Sequence, residues 1–394
     1  MKLFICLLAL VATAMSESNE ELLKASIEQF TAKMFQELVN ANPGQNFVSS
    51  PSSVLILLAQ LSLASVGDSH DEIQKAIGLP NDKVTKEVFT SVTKELRSVK
   101  GVELYFTNIL YASDGSALLK PLIDLSRDFC NSVVKNVDFS QNDAAAHEIN
   151  TWVEDNTNHR IKNLVDPKSL DGFKSAVLVN AINFKGKWQK PFDKSSTEDR
   201  DFHVSKDETI KIPTMYKYDN FKYGESEELD AKLIELPYEG GESSLLVVLP
   251  KKIGSIDTFV EKLGDPSVLP KAVENMSYNE VIVELPKFKI ETTTDLGAVL
   301  KKMNVINLFP PSPTQLEKLI IERHMSHILL SAAVHKAYIE VNEEGSEAAA
   351  ADVSMGGGSS YEYNPDQKIL SVDKPFYFEL KVNNRSTFNG IFRK

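Results

Sequence analysis

The residues that come nearest to catalytic or metal chemistry are two histidines and a glycine-rich run. His324 and His327 are three residues apart, a spacing that zinc ligands use, but no third or fourth ligand accompanies them in the sequence. Gly356 to Ser360 is rich in glycine but lacks the lysine of a phosphate-binding loop. No G-x-S-x-G, H-E-x-x-H or C-x-x-C pattern occurs. We therefore expect no enzymatic activity, no metal site and no cofactor.

A more informative segment begins at Glu343, directly after a predicted strand. Apolar and polar residues alternate over 333–341, which predicts a half-buried β-strand. Residues 343–351 continue with acidic residues, a glycine, a serine and four alanines. Loops usually turn at Gly, Pro, Asn and Asp, whereas this segment has small side chains and no proline. Nothing in it would clash in a central strand, although four alanines also favour a short helix.

The elements that must position this segment are helices in the first part of the chain and strands in the later part. Apolar residues at helical spacing predict a helix over 22–38, which ends at Asn42-Pro43-Gly44. Residues 52–66 are apolar on nearly every side, which indicates a buried helix. Strand-like runs lie at Val102–Tyr111, Leu178–Phe184, Lys232–Leu236, Ser244–Leu249 and Val281–Ile290. This order predicts one large α+β domain.

Charge and the N-terminal residues indicate the class of protein. The chain has 43 Lys and Arg against 55 Asp and Glu, a formal charge of −12, which argues against nucleic acid or an anionic membrane as partner. Residues 1–14 have the three parts of a secretory signal peptide: Lys2, an apolar stretch, and small residues before cleavage after Ala14. We therefore expect an extracellular protein with a single domain over 15–394.

Cysteines and acceptor triplets add detail to this extracellular assignment. Cys6 lies in the predicted signal peptide, so Cys130 is alone and no internal disulfide is expected. We interpret Cys130 as a small buried apolar residue. Asn275 and Asn384 each begin an N-x-S triplet, the acceptor pattern for N-glycosylation.

Five segments together resemble the serpins, particularly those of insects. Besides the run from Glu343, they are residues 46–53, 178–188, 285–288 and 388–390. The resemblance covers essentially the whole mature chain. It implies a fold of three β-sheets with eight or nine helices and an exposed reactive-centre loop over about 343–374.

The resemblance also implies a mechanism and a partner. A serpin is a suicide substrate: a protease cleaves the loop, which then inserts into the central sheet. We expect a monomer whose partner is that protease. The hinge of the loop would be Glu343, Glu344, Gly345, Ser346, Glu347, Ala348, Ala349, Ala350, Ala351 and Asp352. The region where the sheet opens would contain Ser50, Ser53, Asn180, Trp188 and His335.

One residue of the hinge, Asp352, conflicts with insertion of the loop as a strand. Ser346, Ala348, Ala350, Asp352 and Ser354 would share the face that the resemblance turns toward the core. Small residues fit there, but an unpaired buried carboxylate at Asp352 would cost several kcal/mol. Asp352 therefore favours a non-inhibitory serpin that serves as a carrier, storage protein or chaperone, whereas the alanine run favours an inhibitor.

The position of the reactive bond remains open between several residues. The spacing usual in the family places it at Ser359–Ser360, which suits an elastase-like enzyme, whereas Tyr361 or Tyr363 suits a chymotrypsin-like one. A papain-like cysteine protease would cleave after Glu362 or Asn364. No Arg or Lys lies between Glu343 and Gln367, which disfavours trypsin-like targets.

Overall fold

The structure is a computed structural model. It describes residues 2–114, 116–120, 123–124, 126–127, 132–170, 176–311, 315–316, 318, 320–322, 330–346 and 367–394. Within these ranges the α-helices are α1 (Lys2–Ala41), α2 (Pro51–Ala64), α3 (Gly67–Ile77), α4 (Asp82–Ser98), α5 (Asn142–Asn156), α6 (Ile256–Lys262), α7 (Val268–Glu274) and α8 (Leu296–Lys302). None of the helices in these ranges is long and apolar enough to cross a membrane.

The strands, numbered in chain order, follow the same ranges. The first nine are β1 (Phe47–Ser49), β2 (Val102–Ser113), β3 (Ser116–Leu118), β4 (Ser132–Val137), β5 (Ala176–Lys187), β6 (Glu198–His203), β7 (Thr209–Ser226), β8 (Ala231–Pro237) and β9 (Ser243–Pro250). The others are β10 (Ser277–Pro286), β11 (Phe288–Asp295), β12 (Ile320–Glu322), β13 (Leu330–Val341), β14 (Gly345–Ser346), β15 (Lys368–Ser371), β16 (Phe376–Val382) and β17 (Arg385–Phe392).

These strands form three β-sheets, which confirms the predicted α+β class and the three-sheet architecture. The nine-stranded sheet has the order β1-β17-β16-β9-β8-β7-β10-β15, with β6 paired to β7. The six-stranded sheet has the order β11-β13-β5-β2-β4, with β14 paired to β5, and β12 pairs with β3 in the third. In the six-stranded sheet β5 and β13 are parallel neighbours over Ala176–Asn183 and Leu330–Tyr338. The short β14 contacts β5 beyond this joined region.

The helix α2 is the buried helix that the sequence predicts. Its N-cap is Ser50, whose side chain accepts a hydrogen bond from the backbone N–H of Ser53, and Pro51 occupies the first turn. From Val54 to Leu61 every residue is buried, including Gln60. Because this helix has no polar face, it is stable only where other elements cover it on all sides.

Three local expectations differ from the structure. The apolar run 281–290 forms two strands, β10 and β11, because the chain leaves one sheet and enters another at Lys287. The helix α1 extends across Ala14, so no helix begins between the predicted signal peptide and the mature chain; cleavage there stays a prediction. The strand β13 is not half-buried, since Lys336 and Tyr338 on its second face are only 5% and 1% exposed.

The second face of β13 is covered because α5 packs across the six-stranded sheet. Ala145, Ile149 and Val153 of α5 belong to the same buried cluster as Tyr111 and Tyr338. The amine of Lys336 is accommodated there by a hydrogen bond to the carbonyl oxygen of Lys162 (3.0 Å) and an ion pair with Glu291 (2.6 Å). The alternation between apolar and polar residues therefore predicted too much exposure for β13, because a lysine stem and a tyrosine ring pack as apolar surface.

Candidate functional site

The first part of the site is a tight turn that joins β13 to β14. The backbone N–H of Asn342 donates to the carbonyl oxygen of Gly345 (2.8 Å), and the Asn342 side-chain oxygen accepts from the backbone N–H of Glu344 (3.0 Å). After the turn, Gly345 pairs with Lys187 and Ser346 with Gly186 in an antiparallel register. The chain therefore begins a new strand against β5 before residues 347–366, which lie outside the described ranges.

Two carboxylates hold this turn in place. Glu343 is buried, and its carboxylate accepts a hydrogen bond from Thr197 (2.9 Å) and pairs with Lys287 (3.0 Å). Burial alone raises the pKa of the Glu343 carboxyl. Hydrogen bonds from its own backbone, Lys287 and Thr197 outweigh burial and hold this pKa below its ordinary value. Glu344 pairs with Lys194 at 2.6 Å. Ion pairs of Glu343 and Glu344 thus hold the start of the loop against the body of the protein.

An aromatic pair lies beside Ser346, the second residue of β14. The Ser346 side chain is fully buried, and its hydroxyl lies 2.8 Å from the hydroxyl of Tyr238. Trp188 stacks on Tyr238 with ring centroids 4.5 Å apart and an interplanar angle of 10°. The indole N–H of Trp188 donates to the carbonyl oxygen of Asn342 at 2.8 Å. Trp188 therefore contacts the turn that precedes β14, and Tyr238 contacts Ser346 directly.

Gly345 can be no other residue in this turn. Its φ is +148°, a conformation that side chains with a Cβ rarely adopt. A Cβ would also lie 2.0 Å from the carbonyl oxygen of Gly186. Both observations locate the close contact between β14 and β5 at this position.

Gly345→Ala is therefore expected to separate β14 from β5. Backbone strain and the clash together cost about 2–4 kcal/mol, so the thermal midpoint at a fixed scan rate falls by several degrees. The control is Gly241→Ala, whose φ is +74° but which has no atom within 4 Å of the added Cβ. That variant carries only the conformational cost, about 1 kcal/mol. Equal shifts for both variants would contradict a close contact at Gly345.

The second part of the site is a buried polar network that joins β5 to β13. Asn180 lies opposite His335 across the two strands, and its side-chain oxygen accepts hydrogen bonds from the Nδ1 of His335 (2.5 Å) and the hydroxyl of Ser53 (2.9 Å). The backbone N–H of Ser50 donates to the Nε2 of His335 (3.1 Å). The Asn180 amide donates to Asn108 on β2 (2.5 Å). Three adjacent strands and the start of α2 thus share one network.

This network fixes the charge of His335. Because the Nε2 accepts a hydrogen bond from Ser50, the proton of the neutral ring is on Nδ1. Complete burial lowers the pKa of His335 from 6.5 to about 3, so the ring is neutral at physiological pH. The network therefore contains only neutral groups.

Acid is expected to destabilise the protein through His335. The pKa is lower in the folded chain than in the unfolded one, so the stability is fully present above pH 6.5 and is lost as the pH falls toward 3. In that window the group contributes about 1.4 kcal/mol per pH unit. His335→Gln should flatten the pH dependence of the unfolding rate between pH 6.5 and 4. His147→Gln, at an exposed position on α5, is the control. An unchanged slope in His335→Gln would exclude this assignment.

The structure thus divides the predicted sheet-opening residues into two groups. Ser50, Ser53, Asn180 and His335 are in direct contact, whereas Trp188 lies eight residues after Asn180, just past the end of β5 and about 26 Å away. Several partners were not predicted from the sequence: Tyr238, Lys287, Lys194, Thr197, Asn108 and Asn342. The first five lie far from their partners along the chain, so no local pattern marks them. Asn342 contacts Glu344 and Gly345, and its residue type, which is common in turns, was the one available signal.

The other predicted residues divide into described and undescribed ones. Asn275 is exposed at the end of α7, and Asn384 is exposed in the turn between β16 and β17, which suits both as glycan acceptors. The following lie outside the described residues: Glu347, Ala348, Ala349, Ala350, Ala351, Asp352, Ser354, Ser359, Ser360, Tyr361, Glu362, Tyr363, Asn364, Cys130, His324 and His327.

Comparison with known proteins agrees with these features over nearly the whole chain. Residues 25–392 match the family described as Serpin (serine protease inhibitor). Alaserpin of Manduca sexta is 49% identical over 392 residues, which cover 99% of each chain. Antichymotrypsin-2 of Bombyx mori is 49% identical over 371 residues, which cover 94% of this chain and 97% of that one.

A solved structure gives the same result for the fold. The crystal structure of Serpin48, a highly specific serpin of the insect Tenebrio molitor, matches with a TM-score of 0.85 and 33% identity, and the match covers 95% of this chain and 98% of that one. The chain belongs to the serpin family of serine protease inhibitors.

Proposed function

We propose that this protein is a secreted suicide-substrate inhibitor whose loop, once cut, inserts between β5 and β13. The observation that carries the proposal is β14, which already pairs with β5 at Gly186 and Lys187. From Asn183 back to Ala176, β5 is paired directly with β13, in parallel, with no strand between them. A strand that continued β14 would run antiparallel to both. Insertion would replace one parallel pairing with two antiparallel ones, which are slightly more stable per residue.

Cleavage starts the reaction in this proposal. The hydroxyl of the protease serine attacks the carbonyl carbon of the reactive bond, an ester forms, the peptide bond breaks, and the new amine leaves with a proton from the protease histidine. The protein supplies the substrate loop and no catalytic group of its own. The hinge then inserts and carries the attached protease with it before water hydrolyses the ester. The uncut fold is in this sense a kinetically trapped state.

The buried network below the hinge has a role in this step. Insertion must separate Asn180 from His335, whose side chains now join the two strands. Because all groups of the network are neutral, opening leaves no unpaired charge in the interior, where it would cost several kcal/mol. Small neutral donors and acceptors can re-pair with the backbone of the inserted strand. We assign Ser50, Ser53, Asn180 and His335 to this exchange, and Trp188 to the entry point above it.

The target is proposed from the loop sequence. Ser359–Ser360 is the first choice for the reactive bond and indicates an elastase-like enzyme, while Tyr361 and Tyr363 indicate a chymotrypsin-like one. The name of the relative Antichymotrypsin-2 supports a chymotrypsin-like target. Cleavage by a papain-like enzyme after Glu362 or Asn364 is the alternative within the same mechanism. The exposed Asn275 and Asn384 support the proposal that residues 15–394 form a secreted glycoprotein.

The test is incubation of the mature protein with elastase, chymotrypsin and a papain-like protease, followed by a denaturing gel and mass spectrometry. A complex that survives denaturant is expected with one serine protease, and the mass of the released C-terminal peptide identifies the bond. If all three enzymes cut the loop and remain active, the inhibitory proposal is wrong. The protein is then a non-inhibitory serpin, and Asp352 is the first residue to examine.

A further inference from the structure

An apolar row lies exposed on the outer face of the nine-stranded sheet. Among the large hydrophobic side chains in the described part of the chain, four are strongly exposed, and three of them lie on this face: Tyr218 (41%), Tyr278 (68%) and Ile369 (49%), the fourth being Ile306. Tyr218 of β7 lies opposite Ile282 of β10, which lies opposite Ile369 of β15. Single exposed apolar residues are ordinary, but a row across three strands is a contiguous patch.

The core does not account for this row. On β10, Val281, Val283 and Leu285 point inward and are fully buried, and Leu370 of β15 is buried in the same way. The residues between them point to the opposite face, because successive side chains of a strand alternate. The row formed by Tyr218, Ile282 and Ile369, which we call the outer row, therefore adds nothing to the packing beneath the sheet.

The edge strand that carries Ile369 is held rigidly. The hydroxyl of Ser371 donates to the carboxylate of Glu284 (2.5 Å), which also pairs with Arg200. The backbone N–H of Val372 donates to the carbonyl oxygen of Glu284 (2.8 Å). A surface that is already ordered loses little conformational entropy when a partner binds.

We propose that the outer row is a secondary contact for the target protease, beside the side of its cleft that receives the residues after the cut. This inference rests on the proposed function. The strand β15, Lys368–Ser371, lies in the C-terminal part of the expected reactive loop (about 343–374), so the row continues the surface that the loop offers. Ser360 is eight residues from Lys368, at most about 29 Å of chain. A protease domain of roughly 230 residues has a radius of gyration of about 17 Å, so it is large enough to reach β15 from the reactive bond.

The partner patch on the protease is apolar, since the outer row offers two isoleucines with an aromatic ring, Tyr218, at one end. Its role is to speed and select association, while the loop supplies the bond that is cut. Aromatic anchors at the centre of a contact commonly contribute more than 1 kcal/mol to binding.

The test uses elastase and chymotrypsin whose catalytic serine is replaced by alanine, because these enzymes bind the loop without cutting it. The dissociation constant is measured for the unsubstituted protein, for Tyr218→Ser and for Ile369→Ser, two variants on different strands. The control is Ile306→Ser, an equally exposed apolar residue on another part of the surface (47%). Thermal midpoints verify that each variant is folded.

Both outer-row variants are expected to bind at least one inactive enzyme about tenfold more weakly, with the control unchanged. Equal dissociation constants for all four proteins, or no binding at all, would overturn the proposal. So would a fall in mass on gel filtration from dimer to monomer in the variants, because the row would then be a contact between two copies of this chain. Since the inactive enzymes cannot be trapped, a failure of covalent inhibition is detected separately with the active enzymes.

Discussion

Ser346→Arg is expected to convert the inhibitor into a substrate. The Ser346 side chain is fully buried, with its hydroxyl 2.8 Å from that of Tyr238. A guanidinium there would be buried without a partner, at a cost of several kcal/mol. The substituted side chain is therefore expected to stay outside the sheet in the uncut protein, so that insertion after cleavage has to bury it. Insertion is then slower than hydrolysis of the ester, so the protease is released in active form. Each 1.4 kcal/mol added to the insertion barrier slows insertion about tenfold.

The measurement is the number of inhibitor molecules consumed for each protease molecule inactivated. We expect this number to rise more than about tenfold in Ser346→Arg, with the cut loop as the main product. Ser346→Ala is the matched control, because it loses the hydroxyl contact with Tyr238 but keeps a small side chain. The control should still form the covalent complex. If Ser346→Arg inactivates protease with the stoichiometry of the unsubstituted protein, insertion does not begin at this residue.

Cleavage of the loop is expected to raise the thermal midpoint of unfolding by about 20 °C. If residues 346–354 become a central strand, they add roughly one backbone hydrogen bond each, at about 1 kcal/mol net. In a domain of this size each kcal/mol shifts the midpoint by about 2 °C. The loop is cut with a protease that is not inhibited, and the cut and uncut proteins are compared by calorimetry at one scan rate, because the uncut state is kinetically trapped.

The change in thermal midpoint on cleavage also decides whether this protein is an inhibitory serpin or a non-inhibitory carrier. A serpin whose loop does not insert keeps the same midpoint after cleavage, and that result would reject insertion for this chain. Ser346→Arg, cut in the same way, is the internal control and should gain less. Asp352→Thr resolves the remaining conflict in the sequence: if the carboxylate impedes insertion, this variant gains more on cleavage than the unsubstituted protein, because no charge then enters the core.

Local patterns in the sequence were sufficient for much of the fold. The all-round apolar α2 and the end of α1 before Asn42 follow from periodicity and turn chemistry. The run from Glu343 to Ala351 indicated the hinge, since small residues without proline mark a segment that can pair as a strand. These features depend on neighbours within a few residues, which one sequence records directly.

The sequence by itself determined the family, the sheets and the small residues of the hinge; only the tertiary structure decided what holds the hinge. The pairing of Glu343 with Lys287, the cover of Tyr238 over Ser346, and the contact between Asn180 and His335 join residues that are 56, 108 and 155 positions apart. The same holds for the outer row, whose three strands come together only in the sheet. Such contacts depend on which strands become neighbours, and no local periodicity specifies that choice.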